Sequence, residues 1–544
     1  MKGLGVSVKW ELALIFLVFL GLRSVNLEST PMWMWDEGGN LNTAANLLEG
    51  RAQHFGYRYH FIAHPPAYYV MASPLVRLLG ESILSLRVFS VLCSAAGLLI
   101  AYRLVGDIVG ERYGLVAGLS YALYPEMVFW NRLGYANNLV GVLALASIYC
   151  LHRYVRTDDR THLLACAGLT GLNCLVEYTA TVFIISMAVV VYWHDRRHVR
   201  TAVLASAAPL VLFASFMVAA DGEGFARDFM GHFGLYPLGV PFVVLGALVF
   251  PRVSERIRDG IGALYYGVGG STPAEYIVVV GLSLLALMPL NTDFMFSGRV
   301  PSALMMLSMF GLLFISDVRA RTILISYPMS YFMMLVALNR WDHMSIPLHY
   351  MLVSGSPFIL KKTGEYLRDR PRHLIALAIL PFALTFYADL EAFAFGGLPP
   401  APGDEIRAMN VFLNEVTSED DVVVTFTYMA AGLKARPALF VQYMAYNGHR
   451  FGYLRRHYSP GEFYFSHAPD DIDFMVLPDG LLEELSQRGY YDAVDPLKDW
   501  EVTYEVHVLR EAGDGVGAWM LGLAGGEGRV EHHYVVYENR DRQA

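Results

Sequence analysis

The sequence predicts a polytopic α-helical membrane protein that carries a C-terminal extracytoplasmic α/β domain. Three observations lead to this fold class. Of the 544 residues 55% are hydrophobic and 17% are charged, whereas soluble proteins carry about 25% charged residues. Apolar stretches of about 20 residues, long enough to cross a bilayer, recur up to about residue 391. Strand-like stretches separated by turn residues take their place after that point.

About thirteen apolar stretches are candidate transmembrane helices. The first follows a basic N-terminus, as in a signal peptide, but no convincing cleavage site follows, so we interpret it as an uncleaved helix. Short runs near 66–80 and 260–270 are interpreted as interfacial or re-entrant pieces. The predicted helices are roughly 10–27, 86–105, 114–131, 138–154, 161–176, 178–193, 200–219, 234–250, 274–290, 301–316, 321–338, 347–361 and 373–391.

Lysine and arginine residues collect in alternate loops, which orients the helices by the positive-inside rule. With the N-terminus inside, the first long loop, 28–85, lies on the extracytoplasmic side. Everything after about residue 395 lies there too. The sequence thus divides into a membrane domain, 1–395, and an extracytoplasmic soluble α/β domain, 396–544. We expect a multi-pass protein of the plasma membrane.

The C-terminal domain begins with the Pro/Gly linker "GGLPPAPGDE" and a capped helix, "DEIRAMNVFLNEV". Four strands are predicted at "DVVVTFT", "DIDFMVLP", "WEVTYEVHVL" and "HHYVVYEN", with a helix near "LLEELSQRG". From Ala401 onward there are 24 acidic and 12 basic residues. This acidic balance gives no argument for nucleic-acid binding.

All four cysteines lie in apolar stretches, and their spacing matches no metal or redox motif. The C-terminal domain contains none of them. Disulfides are therefore not expected to stabilise that domain.

The stretch "PMWMWDEGGN" places Asp36 and Glu37 next to an aromatic cluster in the first extracytoplasmic loop. A carboxylate beside the low-dielectric edge of a bilayer is suited to act as a general base. The alternative is that the acidic pair solvates a helix end at an interfacial aromatic belt.

The same loop carries Arg58 and the segment His64-Pro65-Pro66. Proline fixes its own φ and restricts the residue before it, so His64 lies in a rigid extended turn. A histidine held there suits an anionic headgroup, although a plain interfacial turn explains the pattern equally well.

Two further loops carry polar residues at the ends of predicted spans. "NRLGYANNLVG" contains Arg132 and Asn137, which suit a cavity or a partner helix; helix N-capping is the alternative for the asparagine. Glu177 lies in "LVEYTA" between two spans. The alternative for this carboxylate is an ordinary solvated hairpin.

The segment "NRWDHMSIPLHYMLVSGSPF" gathers Arg340, Asp342, His343 and His349. Arginine and histidine suit phosphate recognition. The histidines and a nearby carboxylate also suit a divalent metal, although the spacing of the two histidines fits no strong zinc pattern.

An acidic pair after the first helix, then His-Pro-Pro, then residues 85–138, "SLRVFSVLCSAAGLLIAYRLVGDIVGERYGLVAGLSYALYPEMVFWNRLGYANN", resembles the GT-C fold glycosyltransferases. Within them the chain is similar to the protein O-mannosyltransferase-like group, which includes the lipid A aminoarabinose transferase. The similarity covers about 10–195 and, weakly, 320–390.

The resemblance implies an enzyme that moves a sugar from a polyprenyl-phosphate donor to a protein or lipid acceptor outside, by single displacement with inversion. It makes Asp36 the catalytic base and Glu37 its partner or a second acid. It implies no nucleotide, no certain cofactor and no dedicated metal site, with a divalent metal as an open option. The candidate contacts to the donor phosphate and sugar are Arg58, His64, Arg132, Asn137, Glu177, Arg340, His343 and His349.

The sequence departs from the family pattern at four of these positions. Asn137 stands where relatives often carry an acid, and Glu177 where they often carry lysine. His64 also stands for a lysine, and His349 for an arginine. The phosphate contacts are therefore expected to differ from the familiar ones, with Arg340, Arg132 or Arg58 taking over.

Three alternative functions are compatible with the sequence. An oligosaccharyltransferase would need a "WWDxG"-like motif in its external domain, but Trp500 and Trp519 lie in "KDWEV" and "GAWML". A transporter or flippase would need repeated halves and charges midway along its spans. A non-catalytic homologue, with a site that only binds, is the third.

Overall fold

The structure is a computed structural model of the chain. Helices make up most of it before residue 370, and a mixed β-sheet follows after residue 420. The described residues are 6–28, 35–48, 65–233, 311–338, 343–367, 403–426, 432–449, 466–511 and 529–539, with short pieces at 243–244, 247, 249, 251–252, 255–256, 308, 429–430 and 460–462.

The described residues before 370 fold into a bundle of apolar helices. Its helices are α1 (Val6–Ser24), α2 (Trp35–Leu48), α3 (Ala67–Leu79), α4 (Ile83–Val109), α5 (Glu111–Leu123), α6 (Pro125–Asn131), α7 (Ala136–Thr157), α8 (Arg160–Cys174), α9 (Val182–Asp195), α10 (Val199–Phe233), α11 (Val318–Leu338), α12 (Ile346–Leu352) and α13 (Ser356–Leu367).

Three helical stretches among the described residues are long and apolar enough to cross a membrane: Ile83–Val109, Ala136–Thr157 and Tyr178–Ala220. They coincide with predicted spans. The run near 66–80 forms the shorter apolar helix Ala67–Leu79, as expected for an interfacial piece. The predicted spans 274–290 and 373–391 and the run 260–270 lie outside the described residues, as do most of 234–250 and most of 301–316.

Two predicted spans are interrupted, and those predictions were wrong. The span 114–131 ends at Leu123, because Pro125 has no N–H to continue the helix and instead begins α6. The span 347–361 divides into α12 and α13 around a 3₁₀ turn at Val353–Gly355.

Tyr350 fixes the short helix α12 against α7. Its ring lies against Gly141, where an added Cβ would come within 2.5 Å of the ring. Its hydroxyl donates to Asn138 Oδ1 (3.1 Å) and accepts from Asn131 Nδ2 (2.9 Å). These buried contacts hold α12, and hence the turn that precedes it, against the end of α7 that begins at Ala136.

The last part of the chain forms a five-stranded sheet in the order β2-β1-β3-β5-β4, preceded by α14 (Gly403–Val416). Strands β1, β2 and β3 are parallel, and β5 runs antiparallel to both of its neighbours. The remaining elements are β1 (Val422–Thr425), β2 (Arg436–Leu439), α15 (Phe440–Tyr446), β3 (Phe474–Pro478), α16 (Leu481–Gln487), α17 (Tyr491–Val494), β4 (Glu501–Glu511) and β5 (Arg529–Glu538).

The four strands and two helices predicted for this domain are present. Strand β2 was not predicted, because it has only four residues and one of them is Pro437. Proline is tolerated there because β2 lies at the edge of the sheet. An ion pair of 3.0 Å between Arg407 on α14 and Glu28, just beyond α1, joins this domain to the helical part. The sheet domain therefore lies at the end of the bundle where α1 finishes.

Candidate active site

The acidic pair occupies the first turn of α2, and its two carboxylates face different ways. The side chain of Asp36 is 41% exposed, whereas that of Glu37 is fully buried. Successive residues of an α-helix point about 100° apart, so one member of a neighbouring pair can face the core while the other faces a cleft. The two acids therefore have different roles.

Glu37 forms a buried bidentate ion pair with Arg87 of α4. The guanidinium donates from Nε to Oε1 (2.8 Å) and from Nη2 to Oε2 (2.7 Å). Oε1 also accepts from the backbone N–H of Gly134 (2.7 Å), and Arg87 Nη1 donates to the carbonyl of Leu27 (3.0 Å). Both charges are compensated, and α2 is attached to α4 and to the end of α1.

Gly134 is the second attachment point of α2. Its carbonyl accepts from Asn40 Nδ2 (3.0 Å) and from the hydroxyl of Tyr68 (2.9 Å). A Cβ at this position would lie 2.7 Å from Leu86 Cβ and 3.3 Å from Glu37 Oε1. The close approach of three elements therefore requires glycine.

We expect Gly134→Ala to lower the free energy of unfolding by about 1–3 kcal/mol, because Leu86 Cβ lies next to its own backbone and has little room to move. Thermal unfolding of the purified protein measures this. Gly168→Ala is the control, since a Cβ on that residue of α8 meets nothing within 4 Å and alanine favours the helix. Equal melting temperatures for both variants would contradict the argument.

Asp36 faces a histidine that comes from a distant part of the chain. His343 Nε2 lies 3.3 Å from Asp36 Oδ2. The imidazole stacks on the ring of Tyr135, with centroids 4.9 Å apart and planes 10° apart. His343 opens the 3₁₀ turn His343–Ser345 before α12. The packing of α12 on α7 therefore brings the histidine to the acid.

Glu177 lies beside this pair. Its carboxylate accepts from the backbone N–H of Tyr178 (3.1 Å) and so caps the turn between α8 and α9. Burial raises the pKa of the Glu177 carboxyl to about 7; the nearby His343 opposes this rise and the nearby Asp36 adds to it. A backbone hydrogen bond from Ala67 to Leu175 (2.9 Å) brings α3 to the same place.

Arg132, predicted to bind the donor phosphate, lies at the end of α1. Its Nη1 donates to the carbonyl of Leu22 (2.9 Å), and its Nη2 donates to the carbonyl of Val25. These are among the unpaired carbonyls that every helix leaves at its C-terminus. Burial, with a smaller effect from nearby Arg87, lowers the Arg132 pKa to about 10. Both contacts stabilise the packing of Arg132 against the C-terminal end of α1.

Asn137 is buried in the first turn of α7. Its Nδ2 has no hydrogen-bond partner in the part of the chain that the structure describes. The N-cap position of α7 belongs to Tyr135, so N-capping does not explain the Asn137 side chain. Its neighbour Asn138 donates to the carbonyls of Trp130 (2.9 Å) and Leu133 (3.1 Å). A role for Asn137 in donor contact stays a prediction.

His349 is fully buried in α12. Its Nδ1 lies 2.9 Å from the hydroxyl of Tyr124, and its Nε2 lies 3.4 Å from Ser345 Oγ. His343 instead faces Asp36, so the suggested metal pair of the two histidines is not formed. Among the described residues, no three His, Cys, Asp or Glu side chains are grouped to hold a metal ion.

Three predicted contacts, Arg58, His64 and Arg340, lie outside the described residues. Sequence reasoning missed Arg87, Gly134 and Tyr135. Arg87 could have been identified from the sequence, since an arginine at the start of an apolar span needs a partner for its charge. The other two lie inside the quoted motif "NRLGYANN", but their roles follow from packing.

Known proteins resemble this chain in part of its sequence and in its fold. The model of the family "Dolichyl-phosphate-mannose-protein mannosyltransferase" matches residues 63–219. That range contains Arg87, Gly134 and Glu177. No curated protein sequence matches the chain.

Several solved structures share the fold. An oligosaccharyltransferase from Archaeoglobus fulgidus, solved with zinc and sulfate, aligns with 87% of this chain and 68% of its own at 13% identity and a TM-score of 0.57. ArnT from Cupriavidus metallidurans in the apo state aligns over 99% of both chains at 11% identity and a TM-score of 0.51. AglB from A. fulgidus, solved with an inhibitory peptide and a dolichol-phosphate, covers 90% of this chain and 71% of its own (12% identity, TM-score 0.54).

At these identities the likeness defines the fold. The chain has the GT-C fold of membrane glycosyltransferases, and the resemblance inferred from its sequence is confirmed.

Proposed function

We propose that this chain is an integral-membrane glycosyltransferase that uses a polyprenyl-phosphate-linked sugar, of the mannose-like hexose or a related type. It transfers the sugar to a protein or lipid acceptor on the extracytoplasmic side of the plasma membrane. The observation that carries the proposal is the half-exposed Asp36, held beside His343 on a helix that buried contacts fix in place.

The chemistry needs a carboxylate that faces the acceptor. Asp36 takes the proton of an acceptor hydroxyl as the oxygen attacks the anomeric carbon of the sugar. The bond from that carbon to the phosphate oxygen breaks, and the polyprenyl phosphate leaves with the electron pair. Because the leaving group is a stable phosphate, the step needs no nucleotide.

The donor class is supported by the family that matches residues 63–219 and by the dolichol-phosphate in the AglB structure. A lipid-phosphate sugar lies in the bilayer with its sugar at headgroup depth, so the base must stand at the ends of the membrane helices. Asp36, in the first turn of α2, and His343, in the turn before α12, come from distant parts of the chain and contact each other at one end of the bundle. The positive-inside rule makes that end extracytoplasmic.

Asp36→Asn is expected to lower transfer by at least about 10²-fold while donor binding is retained, because the amide has nearly the same shape but cannot accept the proton. Wild type and variant are assayed with a panel of radiolabelled polyprenyl-phosphate sugars, a polyprenyl-diphosphate oligosaccharide, and a membrane extract as acceptor. Asp158→Asn is the matched control, because that acid also pairs with a histidine, His194, at 2.6 Å.

Equal turnover by wild type and Asp36→Asn would contradict the base assignment. Turnover with the diphosphate-linked oligosaccharide alone would favour an oligosaccharyltransferase. Absence of turnover with every donor would favour a transporter or a non-catalytic homologue.

A further inference from the structure

We propose that His343 is the positioning residue that holds the Asp36 carboxylate in the direction in which it accepts a proton. The inference rests on the proposed transfer reaction and assigns to it one residue beyond the base.

The geometry of His343 supports a positioning role. Its Nε2 contacts Asp36 Oδ2 at 3.3 Å, and its ring is held flat on Tyr135. The Tyr135 ring is itself buried and packs edge-on against Trp130, with centroids 5.9 Å apart. An imidazole with one face fixed in this way has a defined direction, so the carboxylate that it contacts is oriented as well.

Two substitutions at His343 separate positioning from simple packing. His343→Phe keeps a ring on Tyr135 and removes the nitrogen that contacts Asp36; kcat is expected to fall by about 10²-fold, the effect typical of a misplaced catalytic group. His343→Gln keeps a donor and is expected to restore part of the loss. The KM for the donor stays within about twofold in both. His162→Phe, on α8, is the control.

The outcomes separate this inference from the proposed function. Loss of transfer in Asp36→Asn, with wild-type kcat in His343→Phe, would overturn the inference and leave the proposed function standing. Full activity of Asp36→Asn would overturn both. A fall in donor affinity without a fall in kcat would make His343 a phosphate contact and also overturn the inference.

Discussion

Replacing Arg87 by methionine is expected to lower the free energy of unfolding by about 3–5 kcal/mol, the cost typical of breaking a buried ion pair. Glu37 would remain fully buried with its carboxylate no longer compensated by the guanidinium. Unfolding of purified protein by heat, followed in parallel for wild type and variant, measures the effect.

Two further variants make the test specific. Replacing both partners, Arg87→Met with Glu37→Leu, is expected to recover most of the loss, because well-packed apolar side chains can replace a buried ion pair. Arg407→Met breaks the exposed pair with Glu28 at the same end of the bundle, and exposed pairs contribute about 1 kcal/mol or less. If Arg87→Met costs no more than Arg407→Met, the Glu37–Arg87 pair does not anchor α2.

The same double variant separates two roles for Glu37. If Glu37 only holds α2 in place, the folded double variant retains most of its transfer activity, since Asp36 is intact. If Glu37 is a second catalytic acid, the folded double variant is inactive. We expect the first result, because both oxygens of Glu37 are already engaged with Arg87 and Gly134.

The membrane character and most strands of the C-terminal sheet were predictable from the sequence because they depend on local patterns. Apolar stretches of sufficient length and alternating strands are visible without knowledge of contacts. Pro125 itself could be seen in the sequence. The apolar run continues on both sides of it, however, so the break between α5 and α6 was not predicted. Strand β2 was beyond such reasoning, because a four-residue strand with proline is defined by its neighbour β1.

The candidate site was only partly predictable, since its geometry depends on residues far apart in the chain. The sequence identified Asp36 and Glu37 as candidates but could not tell which one faces the core. That choice depends on Arg87, 50 residues later. Arg132 and His349 were assigned to the donor because of their residue type, and that assignment stays a prediction. Their contacts with helix carbonyls and a buried hydroxyl depend on packing, which no sequence pattern indicates.

Glu177→Gln is expected to raise stability at pH 8 by about 1–3 kcal/mol and to leave it nearly unchanged at pH 4.5. Burial raises the Glu177 pKa from 4.5 to about 7, so the folded state holds this proton more tightly than the unfolded state. The stabilisation is complete below pH 4.5 and is lost as the pH rises through about 7. Melting temperatures measured between pH 4.5 and 8.5 for both proteins test this.

A matched control for this experiment is Glu484→Gln, whose exposed side chain pairs with Arg488. It is expected to change stability little at any pH. Parallel pH curves for wild type and Glu177→Gln would contradict the raised pKa. If the stability curves of wild type and Glu177→Gln converge at low pH as expected, the Glu177 carboxyl makes the wild type less stable near neutral pH. Such a cost is typical of groups retained for catalysis, and the amide variant would show it directly by being more stable and less responsive to pH.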